Sequence, residues 1–364
     1  MIIIKPIKLQ KFKKKRNIIT HHSNYKKQNL LYIKLFFITS SVICIISHLA
    51  TYIFLGVPLF IPSRLDLFLG SGPLSILQRF NQITPIIVVF LGTHLTLFSK
   101  KNTIKIWVYF SIVAVIIFSF LSGSKSTFLV IVFALFYYWL WSLKLGYSLN
   151  DLTILKQLKK HRKKIKIYQL ICFIAAFCSA LAVLSITRGE GVNLLLSLFR
   201  SLVNRGDIYM YAYPNEVLER IEQVNPFLAI FKGPLGQLGI VDKENLPTAL
   251  GLQLYRYFYD VNIRMGPNPR HNVFGLLYFD YYSSIIYSFL LGVILGFARN
   301  KLYYLLPSTI ISGLFYTLSA LIISGIESDV TLVIAKLLNC LVVVPFIATI
   351  AYLLNSPSLI KRPN

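Results

Sequence analysis

Seven consecutive residues, Gly266-Pro267-Asn268-Pro269-Arg270-His271-Asn272, deliver an arginine and a histidine from a proline-stiffened turn into a long apolar run. Guanidinium binds phosphate through two parallel hydrogen bonds and keeps its charge when partly desolvated. Imidazole can take up a proton near neutral pH. A polar cluster at the mouth of a helical bundle is the expected place for a site. More cations lie in the same part of the chain: Arg188, Arg200, Arg205 and Arg264 precede the turn. Lys125 sits in Gly123-Ser124-Lys125, between two apolar runs. Arg188 and Arg205 each have an acid two residues on, Glu190 and Asp207, and a surface arginine commonly pairs with such a neighbour.

Asp280 and Lys336 lie inside apolar runs. Each ionised residue at such a position costs about 2.5–3.5 kcal/mol, so these residues face a cavity or each other. Their expected depths match, and both readings stay open: a structural pair, or the lining of a substrate cavity. Tyr209, Tyr211 and Tyr213, and Tyr255, Tyr257 and Tyr259, form two clusters. Flat rings with a polar tip suit sugars, and they equally suit a small core. His48 and His94 are expected to be buried hydrogen-bonding residues. Ser122-Gly123-Ser124-Lys125-Ser126-Thr127 lacks the glycines of a phosphate loop. No Asp-x-Asp, His-Glu-x-x-His or Gly-x-Ser-x-Gly occurs. No metal and no cofactor is expected.

The elements that must position these groups are membrane helices. The 364 residues are 55% hydrophobic and 14% charged, against roughly 25% charged in soluble domains. Apolar runs near the ~20 residues of a membrane span cover 35–55, 83–98, 104–121, 127–143, 167–186, 274–297, 302–323 and 330–354. Of the 38 Lys and Arg, 25 fall in 1–34, 100–105, 144–166, 299–301 and 361–362, with Asp151 the one acid among them. These segments alternate along an eight-span chain, so the asymmetry places both termini in the cytoplasm. The net charge of +25 is therefore topogenic, and no nucleic-acid partner is expected. The first run follows too long a basic stretch for a cleaved signal and is expected to stay as an anchor. Cys44, Cys172, Cys178 and Cys340 all lie in the runs and are expected to pack as small apolar residues.

The expected architecture is all-α. A basic segment (1–34) leads into five spans (35–186), and a large external helical module (187–273) follows. Three more spans (274–354) and a tail (355–364) complete the chain. Within the module, 215–224 has helical periodicity with Asn215 as its cap. Gly233-Pro234, Gly236, Gly239 and Pro247 are expected to divide the rest into short pieces.

With its span pattern, Lys-rich loops and Gly266-Pro267-Asn268-Pro269-Arg270-His271-Asn272-Val273-Phe274-Gly275, the chain resembles Wzy-type O-antigen and capsule repeat-unit polymerases. Gly123-Ser124-Lys125 is similar to a Gly-Ser-Arg turn of that family, with lysine for arginine. Arg264 and Gly275 stand at its Arg-x10-Gly spacing, and Arg188-Gly189 matches another recurrent arginine. The related ligases carry His-Asn with a later glycine, and here Tyr282 holds that position. The resemblance implies a GT-C-like, metal-independent glycosyltransferase of a bacterial inner membrane. Its substrates would be undecaprenyl-pyrophosphate-linked oligosaccharides, its surroundings membrane lipid, and a partner a chain-length regulator protein. It implies His271, Arg270 and Asp280 as catalytic residues, with Asp280 and Glu190 as rival bases to His271. Lys125, Arg188, Arg200, Arg264, Asn272, Tyr255 and Tyr257 would bind substrate. A ligase, or a flippase or permease for the same lipids, is the alternative.

Overall fold

The computed structural model describes residues 22–61, 73–148, 207–259 and 266–355, together with Ile167, Leu170, Ile171, Ile174 and Cys178. Among them all regular structure is helical. Four long helices come first: α1 (His22–Leu55), α2 (Pro73–Phe98), α3 (Asn102–Leu121) and α4 (Lys125–Ser148). Four short ones form the module: α5 (Asp207–Ala212), α6 (Val217–Arg220), α7 (Pro226–Gln237) and α8 (Leu250–Phe258). The chain then returns to the bundle through α9 (His271–Gly296), α10 (Leu302–Leu305), α11 (Ile310–Ile323) and α12 (Val330–Asn355), with a π turn, Phe297–Lys301, joining α9 to α10.

Among the described residues six stretches are long and apolar enough to cross a membrane, which makes this an all-α, multi-pass membrane architecture. They match six of the eight expected runs. Of the run 167–186 only Ile167, Leu170, Ile171, Ile174 and Cys178 are described, all helical and exposed along one face. The run 302–323 is not one helix. Pro307 forces Leu306 into an extended conformation (ψ 143°), as a residue before proline prefers. Thr309 then recaps the chain, its side chain accepting from the Ser312 N–H. The resulting α11 has 14 residues, about 21 Å long, short of the ~30 Å hydrocarbon thickness.

The core is centred on α2, which packs against α1, α3, α4, α11 and α12. Its residues 86–91 are buried without a break, as befits a helix surrounded by others. Far from it, Ile285, Ile286, Phe289, Leu290, Val293 and Ile294 of α9 stay exposed at helical spacing, an apolar stripe suited to lipid.

The apolar stretch 271–305 does not run straight. Asp280 has φ 59° and ψ 177°, a conformation outside the helix, and α9 turns a corner there. In a straight helix Gly275 and Ser284 would be about 13.5 Å apart along the axis. Instead a Cβ on Gly275 would lie 3.0 Å from Ser284 Cβ, and Phe274 stacks on Tyr287 at 6.0 Å. The arm 271–279 rises only about 13 Å, whereas 281–305 reaches about 37 Å and is long enough to span. Asp280 is thus an exposed corner residue rather than one at mid-span, and the expected pairing with Lys336 is not found. The acid whose charge bears on Lys336 is Asp329.

The module differs from expectation in two places. The helix expected over 215–224 shrinks to α6, because Glu216 takes a left-handed φ of 56° just before it. Gly233-Pro234 breaks nothing; α7 runs through both. Asn225 caps α7, accepting from Phe227 N–H at 2.8 Å, and Pro226 occupies the first turn. Gly239 (φ +67°) ends it, with Ile240 N–H donating to Leu235 carbonyl at 3.0 Å in a Schellman closure.

Candidate functional site

The Arg270–His271 turn is braced from two sides. On one, the backbones of Gly251, in α8, and Gly266 touch: a Cβ on Gly251 would lie 1.7 Å from the Pro267 carbonyl oxygen, and one on Gly266 2.4 Å from the Gly251 oxygen. Only glycine allows that approach. On the other side lies 324–329, a coil closed by Ser328 N–H and Asp329 N–H donating to the Gly325 carbonyl. Arg270 N–H donates to Ser328 carbonyl, and His271 N–H to Glu327 carbonyl, both at 3.0 Å. Two orphan donors at the start of α9 are thereby satisfied by a neighbouring loop instead of a side-chain cap. Arg270 itself is held at φ 36°, ψ 140°. A bulky residue at positive φ costs about 1–3 kcal/mol and persists only when its surroundings fix it.

His271 is half-buried, and its Nδ1 lies 3.2 Å from the Glu327 carbonyl oxygen. That oxygen can only accept, so Nδ1 carries a proton and the neutral ring keeps its basic lone pair on Nε2. Asn272 Oδ1 accepts from the Tyr209 hydroxyl at 3.2 Å, which ties the turn to α5.

Each tyrosine cluster is split between half-buried and exposed positions. Tyr211 packs against Tyr255, Phe258 and Tyr259 and builds the module's own core. Tyr209 and Tyr213 stack on each other at 5.8 Å and remain exposed. Tyr257 is exposed, and its hydroxyl accepts from Arg220 at 2.9 Å.

Below the turn lies a cavity of about 230 Å³. Its walls come from α7 (Ala229, Lys232, Gly233), the start of α8 (Pro247 to Leu250), Pro269 of the turn, Phe274 and Tyr278 of the short arm, and the head of α12 (Asp329 to Ala335). Close packing brings α7 onto α12: a Cβ on Gly233 would lie 2.8 Å from Ala335 Cβ, and Thr331 hydroxyl donates to the Ala229 carbonyl at 3.1 Å. Asp329 caps α12, its Oδ1 accepting from Leu332 N–H at 2.9 Å. Burial pushes the Asp329 carboxyl above its usual range, against the Leu332 N–H and the Lys232 ammonium, which pull it down. Burial draws Lys232 below the usual lysine range, against the pull of Asp329.

Of the residues expected at the site, Arg270, His271 and Asn272 are brought together. Lys125 opens α4 just after the Gly123 turn (φ +59°). Lys144, further along α4, contacts residues at the opposite end of the bundle, so Lys125, about 29 Å back along the helix, belongs to the module end. Arg188, Arg200, Arg205, Glu190 and Arg264 lie outside the described residues. Asp280 is at its corner, and Tyr255 is drawn into the module core. Lys232, Asp329 and Tyr278 were not anticipated. Lys232 is a lone cation in the apolar stretch Phe227 to Gln237, and Asp329 directly precedes a span in cap position, the two signals that could have marked them.

Among the described residues no cluster of His, Cys, Asp and Glu could hold a metal ion. No protein-family model, no curated protein and no solved structure matches this chain.

Proposed function

We propose that this chain is a polymerase of lipid-linked oligosaccharide repeat units in a bacterial inner membrane, with both termini cytoplasmic and the module outside. One observation carries the reading: Arg270 and His271 are held in a strained, doubly braced turn at the module end of a membrane bundle, beside a cavity. Strain kept in place by surrounding structure is a mark of functional turns.

In this reading His271 Nε2 takes the proton of the acceptor sugar's hydroxyl as its oxygen attacks the donor's anomeric carbon. The bond from that carbon to the pyrophosphate oxygen breaks. Undecaprenyl pyrophosphate leaves with the electron pair, and Arg270 stabilises its charge in a water-poor cleft. The donor carries its own leaving group, so no nucleotide is required. Exposed Tyr209 and Tyr213, linked to the turn through Asn272, offer flat faces for the acceptor's sugars.

The test is a deletion strain examined for lipopolysaccharide or capsule banding. Polymerase action predicts a product of single repeats, restored to long chains by the intact gene. Absence of any surface repeat would indicate a flippase, and unchanged long chains would remove the reading altogether.

A further inference from the structure

The cavity under the turn has its own charge logic. At about 230 Å³ it is below the ~300–1,000 Å³ of a pocket for a whole small ligand, so it suits one group of a larger molecule. Most of its lining is apolar, and the charged groups are Lys232 and Asp329. One oxygen of the carboxylate, Oδ1, is taken up by the Leu332 N–H at the cap of α12. Among the described residues, Lys232 makes no hydrogen bond and no ion pair within 4 Å; its compensation is the longer-range charge of Asp329. Lys336, two turns along α12, shares that same carboxylate. Asp329 therefore answers two ammoniums in a half-buried setting, where an under-compensated charge is costly, and the next acid, Glu222, bears on Tyr278 of the cavity wall from an exposed position. The first turn of α12 adds the positive end of a helix dipole to the same wall. Thr248, an exposed residue, also lines the cavity.

We infer that this cavity is an anion site for a phosphate-type group, with Lys232 as its principal donor and Asp329 as the counter-charge that keeps the ammonium in position when the site is empty. The choice of a polyprenyl lipid as the source of that phosphate rests on the proposed function; the site itself does not. A free pyrophosphate would satisfy the same chemistry.

The experiment uses the full chain in phosphatidylcholine nanodiscs and reads binding by thermal-unfolding shift and by phosphorus NMR. One arm adds inorganic pyrophosphate, and the other incorporates undecaprenyl phosphate in the disc. Binding in either arm is expected to weaken at least tenfold in Lys232→Gln and to survive in Lys232→Arg. Thr248→Trp, which fills the rim and leaves both charges untouched, is expected to weaken it too. That second variant decides the matter should Lys232→Gln fail to fold. Binding in the lipid arm alone assigns the source to a lipid headgroup. Binding of pyrophosphate alone assigns it to the free anion. No binding in either arm, or binding indifferent to Lys232→Gln and Thr248→Trp, overturns the inference. Since no sugar is transferred in this assay, the anion site can stand where the polymerase reading falls, and the reverse.

Discussion

A buried lysine and a half-buried one, at opposite ends of the bundle, sit in contrasting surroundings. Lys144 of α4 donates to the carbonyls of Tyr303 and of Leu306, the latter at 2.7 Å, and lies 4.5 Å from the Trp141 ring centre. It closes the end of α10 where Pro307 stops the helix. Around it Trp141, Tyr303 and Tyr316 pack ring to ring, and Trp141 Nε1–H donates to the Thr309 carbonyl at 2.8 Å. Gly313 admits Trp141 so closely that a Cβ would lie 2.2 Å from its ring. The ammonium of this lysine is held by two carbonyls and by aromatic rings. Lys232, by contrast, lines open space beside the Asp329 carboxylate. Closed packing with satisfied donors marks a structural end, whereas open volume beside a cation is what the proposed anion site requires.

The sharpest way to break this contrast is at Arg270. Arg270→Ala is expected to abolish chain growth at normal protein level, and Arg270→Lys nearly so, because the two-pronged geometry is lost. Arg270→Gly separates strain from function: it relieves the positive φ, so thermal unfolding should occur at the same or a higher temperature while activity still disappears. His271→Ala should slow chain growth by roughly 10²–10⁴-fold if the ring is the base. Normal banding from both alanine variants would take the active site elsewhere.

Gly251→Ala comes next. Its Cβ meets a backbone oxygen, so the turn must shift bodily. Overpacking of this kind costs about 1–3 kcal/mol. A displacement near 1 Å at reacting groups can cost about 10²-fold in rate. Unfolding in a detergent series and chain-length banding together measure both, and a variant with wild-type values in each would show that the brace is not needed.

The lysine comparison itself is tested by a pair of substitutions. Lys144→Met leaves the Tyr303 and Leu306 carbonyls without their donor and should lower stability by about 1–3 kcal/mol, with the rate per folded molecule unchanged. Lys232→Met should do the reverse, with little change in unfolding and a clear loss of activity. Equal behaviour of the two variants would erase the distinction. The smallest effect is expected between Asp280 and Lys336. In a double-mutant cycle on unfolding they should be additive within about 0.3–0.5 kcal/mol, while Asp329 and Lys336 should couple beyond that.

The sequence by itself determined the membrane class, six of the helices and the turn, because these rest on local quantities. Long apolar runs cannot be solvated, and proline fixes its own φ. It also put Arg270, His271 and Asn272 together, since they are neighbours in the chain. What only the tertiary structure decided are the contacts between residues far apart in sequence. Gly251 meets Gly266, Asp329 is brought to Lys232 from nearly a hundred residues away, and Gly275 folds back onto Ser284. The corner at Asp280 is the clearest case. Asp280-Tyr281-Tyr282-Ser283-Ser284 is a polar dip inside an otherwise apolar run, yet nothing local in an aspartate demands φ 59°. The direction of the fold-back is seen only in three dimensions, where Phe274 and Phe279 pack on Tyr287.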